Sequence, residues 1–596
     1  MTYDRLIAVT AGVLVATTTV GEQTFPAEDW QDEPNPLTSE WAEPGGTFRI
    51  FAGQYPKSFN YYLENSTTAA GIFGLMYESL LGRDPLSVES APGLAKSWSI
   101  SEDKQTFTFH LDPDARWSDG RPITTEDVAW TYDTVMDPAH LTGPHKVALE
   151  RLYPPDIVDE HTIRFTAKEV HWGNLLYAGG FLILPKHAFA EEDFNRLNFD
   201  FPVVSGPYEI ERVAEGSRVD MRRREEWWAT DYPRNEGLLN FDRIIMRFYP
   251  DRDHAFDVFR RGQFDLFAVY TAHIWANRTS GERFDRNWIV KQAVHNRAPL
   301  GFQGFAMNMR REPFNDLRIR KALAHLLNRE KMNRTLMHDA YALNQSYFET
   351  LYGPDTPCEN PVFDFNPEKA RQLLHEAGWE ANPETGLLEK DGRPFIITFL
   401  TRDASQDKFL NVYREDLRNV GIDLEIDRKD WAAWARDMDE FNYDMTWAAW
   451  GAGLRPDPES LWHSREAERA GGNNITGFTD DKVDRLIEKQ RTIFDAEERN
   501  EIVRRIDAVL TRNVPYILLW HLDYNRILYW NKFGTPDHVL GKFGREDSAH
   551  YLWWLDPFGA ADLEEAQREG LSLPGRPRVI HFHETFQQET HQPTLQ

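Results

Sequence analysis

The fold is decided by three neighbouring segments of the chain, APGLAKSW (91–98), FTFHL (107–111) and RWSDGRPITTEDV (116–128). In the third segment, Thr124 and Asp127 have the spacing of a capping box, in which each side chain accepts a hydrogen bond from the other residue's backbone N–H. This spacing predicts that a helix begins here. Its predicted buried face consists of Val128, Tyr132, Val135 and Met136.

The rest of the chain alternates between helical and strand patterns from Gly46 to about Trp554, without a long structureless gap. Interleaved patterns of this kind are typical of α/β lobes rather than of separate domains on linkers. The clearest helix is predicted to begin after the N-cap Asn366, with Pro367 in its first position, and to end at Gly378. Other predicted elements are a strand at 46–51, a hairpin of 209–213 with 218–222, a helix through Ile319, Ala322, Leu323, Leu326 and Leu327, and a helix from Asp495 to about Asn513.

The length and composition indicate a soluble globular protein with more than one core. A chain of 596 residues exceeds the size that one hydrophobic core serves, so two or more lobes are expected. The 95 acidic residues outnumber the 67 Lys and Arg residues and give a net charge of −28. This charge keeps the protein soluble and disfavours nucleic acid and anionic membrane surfaces as partners.

Both ends of the chain carry segments that are expected to lie outside the folded lobes. Residues 6–20 form an apolar run after Arg5 that is short and rich in Thr, so residues 1–21 are predicted to be a cleaved signal peptide. No cysteine lies directly behind that segment, which argues against a lipid anchor in the membrane and predicts a periplasmic protein of the Gram-negative type. Residues 22–45 are predicted to be an exposed leader and residues 574–596 a flexible tail.

The sequence contains none of the common motifs that carry catalysis or hold a cofactor. There is no HExxH, GxSxG, CxxC or phosphate-binding GxxxxGK[ST] pattern. The single cysteine, Cys358, cannot form an internal disulfide, and its position in a loop disfavours a catalytic thiol. His581, His583 and His591 have a spacing that a metal ion can use, and a polar tail is the alternative interpretation. We therefore expect no enzyme activity, no cofactor and no metal site.

The three segments quoted above resemble the signature of solute-binding protein family 5, the dipeptide, oligopeptide and nickel binders of ABC importers. The motifs SGPY (205–208), MN (307–308) and PFNDLRIRKAL (313–323) resemble further landmarks of that family, and the resemblance spans about residues 45–560. It implies an α/β fold of the periplasmic-binding-protein type II, with two hinged lobes and an extra domain on the first. The implied division assigns 46–65, 201–297 and 521–573 to lobe I, 66–200 to the extra domain II, and 298–520 to lobe III.

A narrower resemblance connects the chain to the Yej type, whose members bring short peptides and the peptide-nucleotide antibiotic microcin C to an importer. The segments that carry it are DYPRNEGLLNFD (231–242), GFQGF (301–305), SYFE (346–349), DMT (444–446) and GNN (472–474). The resemblance implies a monomeric periplasmic protein that delivers peptides or peptide-like conjugates to the permease and ATPase of an ABC transporter.

Two other functions remain open at this point. The same fold can hold another cargo, namely an oligosaccharide, an opine-like conjugate, nickel or haem, and the neighbouring aromatic pairs Trp227–Trp228 and Trp553–Trp554 would suit a sugar. A secreted hydrolase of the same size is the second alternative, although a catalytic constellation for it cannot be read from the sequence.

The resemblance also implies ligand-binding residues. In the oligopeptide binders, two tryptophans at the places of Trp431 and Trp450 flank the ligand pockets. An aspartate shortly after the second of them pairs with the ligand's α-amine, but Gly453 occupies that place here. Asp457 is a possible substitute, or else a turn residue between two prolines. The other candidate ligand contacts are Trp447, Asn60, Phe302, Gln303 and Asn474.

The alternation along residues 444–450 distinguishes two tryptophans of that segment. Because residues two apart share a face of a strand, Trp447 and Trp450 are expected to serve different surfaces, Trp447 in the core and Trp450 in the cleft. Gly451 and Gly453 follow directly and allow another backbone to approach closely. A protein that accepts many peptides is expected to bind their backbones in the manner of an added strand.

Overall fold

The computed structural model describes residues 23–26, 30–64, 66–198 and 203–586. The predicted signal peptide, residues 22 and 27–29 of the predicted leader, and His591 lie outside the described residues. In the described part of the chain, no helix is both long enough and apolar enough to cross a membrane.

Lobe I is built on an eight-stranded mixed sheet, whose strands come from distant parts of the chain. The strand Thr47–Ala52 lies in its interior and runs parallel to Arg243–Phe248 on one side. In spatial order, the strands are Val579–His581, Ile289–His295, Asn525–Trp530, Leu266–Ala268, Thr47–Ala52, Arg243–Phe248, Arg218–Arg223 and Tyr208–Ala214. The helices of this part are Arg252–Arg260, Ala272–Asn277, Glu282–Asp285, Ser548–Leu552, Pro557–Glu569 and Phe582–Thr585.

Domain II contains a five-stranded antiparallel sheet. In spatial order, its strands are Gln23–Phe25, Ala95–Ile100, Thr106–Leu111, Thr162–Thr166 and Asp156–Asp159. Its helices are Thr67–Met76, Thr125–Met136, Gly143–Leu149, Asn174–Gly179 and Lys186–Phe189.

Lobe III contains a second five-stranded sheet, in the order Asp423–Arg428, Ile396–Thr401, Met445–Trp450, Phe302–Met307 and Tyr516–Leu518. Its helices are Leu317–His325, Arg329–Leu336, Pro367–Glu376, Asp407–Arg418, Trp431–Asp439, Glu459–Trp462, Asp481–Arg491 and Ala496–Asn513. The short strands of the whole chain pair Leu81–Arg83 with Ser90–Pro92, Ala342–Leu343 with Trp520–His521, Phe533–Gly534 with Trp554–Leu555, and Leu388–Lys390 with both Glu380–Ala381 and Arg393–Pro394.

The hydrophobic cores show which of these sheets belong together. One continuous cluster of buried side chains joins lobe I to domain II, and it includes Phe48 and Tyr529 from lobe I and Phe109 from domain II. Lobe III has two main clusters, one on each face of its sheet, and Ala272 is the one lobe I residue among the buried members that they contain in the described part of the chain. Lobe I and domain II are therefore packed as one unit, to which lobe III is joined by the two crossings of the chain at about 296–301 and 519–524. The exact domain boundaries remain a prediction.

The residues that were predicted to cap the N-termini of three helices are confirmed in that role. Thr124 and Asp127 form the capping box of the helix Thr125–Met136. The Asn366 side chain accepts the backbone N–H of Lys369 and caps a helix that begins at Pro367. Asp495 caps Ala496–Asn513 in the same manner.

The predictions of an exposed leader and a flexible tail are wrong for parts that the structure describes. Leu37 is only 5% exposed because it is part of the main core. Residues 579–581 add a parallel strand to the edge of the lobe I sheet, and the side chains of Ile580 within this strand and of Phe582 directly after it are buried. Each segment covers an apolar surface that would otherwise face water, a long-range contact that polar composition does not reveal.

Candidate ligand-binding cleft

The edge of the lobe III sheet where three strands end forms the candidate site. Ile396–Thr401 runs parallel to both Asp423–Arg428 and Met445–Trp450, so the carboxyl ends of the three strands lie at one edge. Open α/β sheets bind their ligands outside the carboxyl ends of the strands. The helix Trp431–Asp439 follows one of these ends and stands beside the site.

A cavity of about 1210 Å³ lies at this edge. Sites for single small molecules usually measure about 300 to 1,000 Å³, so this space suits a larger, extended ligand. Its aromatic lining residues are Phe409, Trp431, Trp434, Trp447 and Trp450, and its charged lining residues are Arg402, Asp403, Lys429, Asp430 and Asp439.

Trp447 forms part of the cavity wall, and a hydrogen bond and contacts with neighbouring rings hold its side chain in place. Its indole N–H donates to Oε1 of Gln303 at 3.0 Å, and the Gln303 amide donates to the Trp520 carbonyl at 2.9 Å. Its ring packs in edge contacts against Phe305, 5.3 Å between centroids, and Phe409, 5.6 Å. The Trp447 side chain is half-buried, so it supports the core and also lines the cleft.

Trp450 lies on the opposite face of the same strand. Its indole N–H donates to the Tyr516 hydroxyl at 3.0 Å, and its ring packs against the other lobe III core. The predicted alternation of faces is confirmed, but the expectation that the two tryptophans serve different surfaces is wrong, because both line the cavity. The reason is that the cavity lies at the end of the strand and reaches both faces.

The strand Met445–Trp450 presents an unoccupied edge to the cavity. It pairs with Phe302–Met307 along its full length, but with Ile396–Thr401 only at the two pairs Phe399–Met445 and Leu400–Thr446. No described strand pairs with residues 447–450 on this second edge. A Cβ added at Gly451 would meet no atom within 4 Å, so another backbone can approach there. An extended peptide can therefore add to this edge by main-chain hydrogen bonds.

Arg402 and two tryptophans form an aromatic–cation stack on the other side of the cavity. The Arg402 guanidinium lies over the Trp431 ring at 4.5 Å and over the Trp434 ring at 4.9 Å, and the two rings stack with centroids 5.4 Å apart. Trp431 is 61% exposed. Arg402 and Trp434 are functional candidates that sequence analysis missed, although Trp434 lies one helical turn after Trp431 and the spacing was readable.

Most charged groups of the cavity already have partners. Asp430 caps the helix that begins at Trp431, and Asp403 accepts from the Ser405 backbone N–H and hydroxyl. The Lys429 ammonium pairs with Asp427 at 3.1 Å and also with Asp437. Arg402 and Asp439 are the lining charges that make no hydrogen bond or ion pair within the described ranges. One cation and one carboxylate thus remain available to a ligand.

Several sequence-predicted site residues lie outside the cavity lining and make contacts within the protein. Asn60 is fully buried, where it donates to the Phe194 carbonyl and accepts from the Tyr62 backbone N–H. Phe302 is 5% exposed and packs against Trp462 and other rings. The Asn474 side chain bonds the backbone of Phe478 through both its oxygen and its nitrogen. Gly453 is exposed and lies outside the cavity lining. Of the predicted residues, the cavity contains Trp431, Trp447, Trp450 and Gln303.

Asp457 lies in an ion-pair cluster between domain II and lobe III and not in the cleft. Its Oδ1 accepts from the Glu459 backbone N–H at 3.1 Å, and burial raises the pKa of the Asp457 carboxyl. Glu459 is 5% exposed and accepts two hydrogen bonds from the Arg491 guanidinium. His171 completes a group of three possible metal ligands with them. The arginines around this group neutralise its carboxylates, which disfavours a cation there.

His171 makes the stability of the protein sensitive to pH. Burial and the nearby Arg151, Arg491 and Arg499 lower its pKa from 6.5 to about 3, and its Nδ1 accepts the Gly173 backbone N–H, which requires the neutral ring. Because the folded-state pKa is lowered, the stabilisation is complete above pH 6.5 and is lost as the pH falls below 6.5. We expect the free energy of unfolding to fall by about 1 to 2 kcal/mol between pH 7 and pH 5 on this account.

Denaturant unfolding at a series of pH values measures this effect. The Asp457 and Glu459 carboxylates lie beside the same ring and are present in both proteins, so the His171→Gln variant, which removes only the imidazole, provides the reference. The wild-type protein should lose more stability than this variant between pH 7 and pH 5. Parallel pH profiles of the two proteins would contradict the assignment.

A large cavity with aromatic walls at the carboxyl ends of an α/β sheet is an arrangement typical of ligand-binding sites. Residues 89–472, more than half of the chain, match the family described as bacterial extracellular solute-binding proteins, family 5. The chain belongs to this family, and the predicted family is confirmed. Membership implies a binding role rather than catalysis.

Relatives and solved structures agree with this assignment. A protein of Agrobacterium fabrum described as a probable peptide-binding protein YejA is 27% identical over 543 residues, which cover 84% of this chain and 88% of the relative. The oligopeptide-binding protein AppA of Bacillus subtilis, solved with a nonapeptide, has a TM-score of 0.67 at 21% identity and covers 86% of this chain and 99% of its own. NikZ of Campylobacter jejuni, solved with Ni(L-His), has a TM-score of 0.68 at 22% identity, with coverages of 85% and 99%. The predicted fold class and the Yej-type resemblance are confirmed.

Proposed function

We propose that this protein captures peptides or peptide-like conjugates in the periplasm and delivers them to the permease and ATPase of an ABC importer, as a monomer and without catalysis. The observation that carries the proposal is the unoccupied edge of Met445–Trp450 inside a cavity of about 1210 Å³. Main-chain hydrogen bonds to such an edge do not depend on the side chains of the peptide. The tryptophan walls add apolar contact area that tolerates different side chains.

The two available charges suit the ends of a peptide. Arg402 is positioned to bind the ligand's carboxylate. Stacking on the indole faces leaves the in-plane N–H groups of the guanidinium free to donate two parallel hydrogen bonds to it. Asp439 is the carboxylate that can receive the α-amine in place of the missing acidic residue at Gly453. Both residues belong to lobe III, so this lobe can hold a peptide before the lobes close.

Calorimetric titration with short peptide pools tests the proposal, with a panel of mono- and oligosaccharides as the comparison. We expect peptides to bind and sugars to give no heat. Binding of sugars with no response to any peptide would contradict the proposal and favour the oligosaccharide alternative, to which the Trp431–Trp434 stack also gives support. Native mass spectrometry of the purified protein would identify any ligand retained in the cleft.

The Arg402→Gln substitution should weaken the binding of a peptide with a free carboxyl terminus about tenfold, since a hydrogen bond to a charged group contributes about 1.5 kcal/mol. The same peptide with an amidated terminus should bind the variant and the wild-type protein equally well. Arg402→Lys keeps the charge but loses the planar bidentate pairing. Its affinity for the peptide with a free carboxyl terminus should therefore lie between the affinities of the wild-type protein and of Arg402→Gln. An equal loss of affinity for both peptides would show that Arg402 does not bind the terminal carboxylate of the peptide.

A further inference from the structure

Lobe III touches domain II through a contact that is separate from the ligand cleft and different in character from the cores. Lobe I and domain II share one continuous hydrophobic cluster, whereas the contact between domain II and lobe III consists of hydrogen bonds, ion pairs and cation–ring contacts. Polar interfaces of this kind between lobes open and close more readily than a shared core. We call this surface the interlobe contact, and it is formed by Lys104, Arg151 and Trp172 of domain II with Arg455, Glu459, Gln490, Arg491, Phe494 and Arg499 of lobe III, together with the backbone of Val88.

Trp172 is the centre of the interlobe contact. Its backbone N–H donates to the Arg491 carbonyl at 2.8 Å, and its indole N–H donates to Oε1 of Gln490 at 2.9 Å. The Arg499 guanidinium lies 4.5 Å above its ring. Trp172 is 8% exposed, so separation of domain II from lobe III would expose this indole and leave the Gln490 side-chain oxygen without its indole donor. The contact is therefore specific to one relative position of the two parts.

Three further contacts surround Trp172. The Arg455 guanidinium donates to the Val88 carbonyl at 2.6 Å. Arg151 pairs with Glu459 at 3.9 Å, and the Lys104 ammonium lies 4.6 Å from the Phe494 ring centroid. Each of them joins domain II to lobe III, and none involves a residue of the cavity wall. They depend on lobe position and not on direct contact with a ligand.

The interlobe contact is connected to the cleft by a short segment of chain. Trp450, which lines the cavity, ends its strand, and the exposed residues 451–453 lead directly to Arg455. The same segment continues through Asp457 to Glu459 within the ion-pair cluster. Trp450, at the end of the strand that is open to a ligand, is thus five positions from Arg455 and nine from Glu459, two of the residues that hold domain II.

We propose that the interlobe contact is a latch that holds lobe III against domain II and thereby sets the fraction of closed protein in the absence of ligand. A ligand that binds the closed form more tightly than the open form has an apparent dissociation constant that falls as the closed fraction rises. A stronger latch raises affinity and also raises the population of empty closed protein. The ligand readout below rests on the proposed function, but the conformational readout does not.

The test combines Arg455→Ala at a half-buried position with Lys104→Asn at an exposed one, which removes two interlobe contacts without changing any member of the hydrophobic clusters. Asn is chosen because Lys104 has a φ of +60°, which Asn tolerates better than most residues. The matched control is Arg469→Ala, which removes an exposed arginine whose ion pair with Glu466 stays within lobe III. Small-angle X-ray scattering measures the radius of gyration, and calorimetry with the best-binding short peptide measures affinity.

We expect the double variant without ligand to have a larger radius of gyration than the wild-type protein, and its peptide dissociation constant to rise three- to tenfold. With saturating peptide, the two proteins should scatter alike, and the control should match the wild type throughout. Unchanged scattering of the ligand-free variant would overturn the latch, as would a lower unfolding temperature with unchanged scattering and affinity. Changed scattering of a protein that binds no peptide would support the latch and contradict the proposed function, so the two failures are distinguishable.

Discussion

Replacing Trp450 with alanine should weaken the binding of a short peptide by about 2 kcal/mol, which is roughly a thirtyfold rise in the dissociation constant. Trp450 ends the strand whose edge faces the cavity, so its ring is beside any backbone that adds to residues 447–450. Aromatic side chains at the centre of an interface contribute more to affinity than their neighbours. Calorimetric titration of both proteins with the same peptide measures the change.

The same substitution has a stability cost that can be separated from the binding effect. The Trp450 indole donates to the hydroxyl of Tyr516, a residue that is 2% exposed, so Trp450→Ala leaves a buried hydroxyl without this donor. We expect a loss of about 1 to 2 kcal/mol in the free energy of unfolding. Trp450→Phe also loses the hydrogen bond but keeps a ring, so it should show a similar stability loss and much better binding. Equal binding losses in the two variants would show that the ring itself does not touch the ligand.

Replacing Trp447 with alanine should lower the free energy of unfolding by about 3 kcal/mol, the low end of the range for truncating a buried aromatic residue. The side chain is half-buried against Phe305, Phe409 and Trp520, and its loss also removes the donor to Oε1 of Gln303. Because Gln303 then loses one of the two bonds that fix it, the wall of the cavity should loosen as well. Denaturant melts of the ligand-free protein measure the stability change.

Trp431→Ala is the matched control for this prediction. It removes the same side chain from the same cavity, but Trp431 is 61% exposed and packs against one other ring and Arg402. Its stability loss should stay below about 1 kcal/mol. A small loss for Trp447→Ala, comparable to that of the control, would mean that the Phe305 side of the sheet does not depend on Trp447.

The sequence by itself determined the local elements and the family of this protein. Capping residues such as Thr124 with Asp127 and Asn366 with Pro367 act within one helical turn, so their effect can be read without knowledge of distant contacts. The alternation of Met445–Trp450 was also readable, because the two-residue period of a strand is a property of the backbone itself.

The roles of the individual site residues were decided only by the tertiary structure. Trp447 and Trp450 point to opposite faces and yet line one cavity, since the site lies at the strand's end, and strand alternation says nothing about where a strand ends relative to its neighbours. Arg402 becomes a ligand-binding candidate because it stacks on Trp431 and Trp434, about 30 positions away in the chain. The Asp457 carboxylate lies near arginines of both domain II and lobe III. Ile580 is buried beside a strand that is almost 300 positions away in the chain. Charges and apolar groups find partners by distance in space, and that distance is set when the lobes pack together.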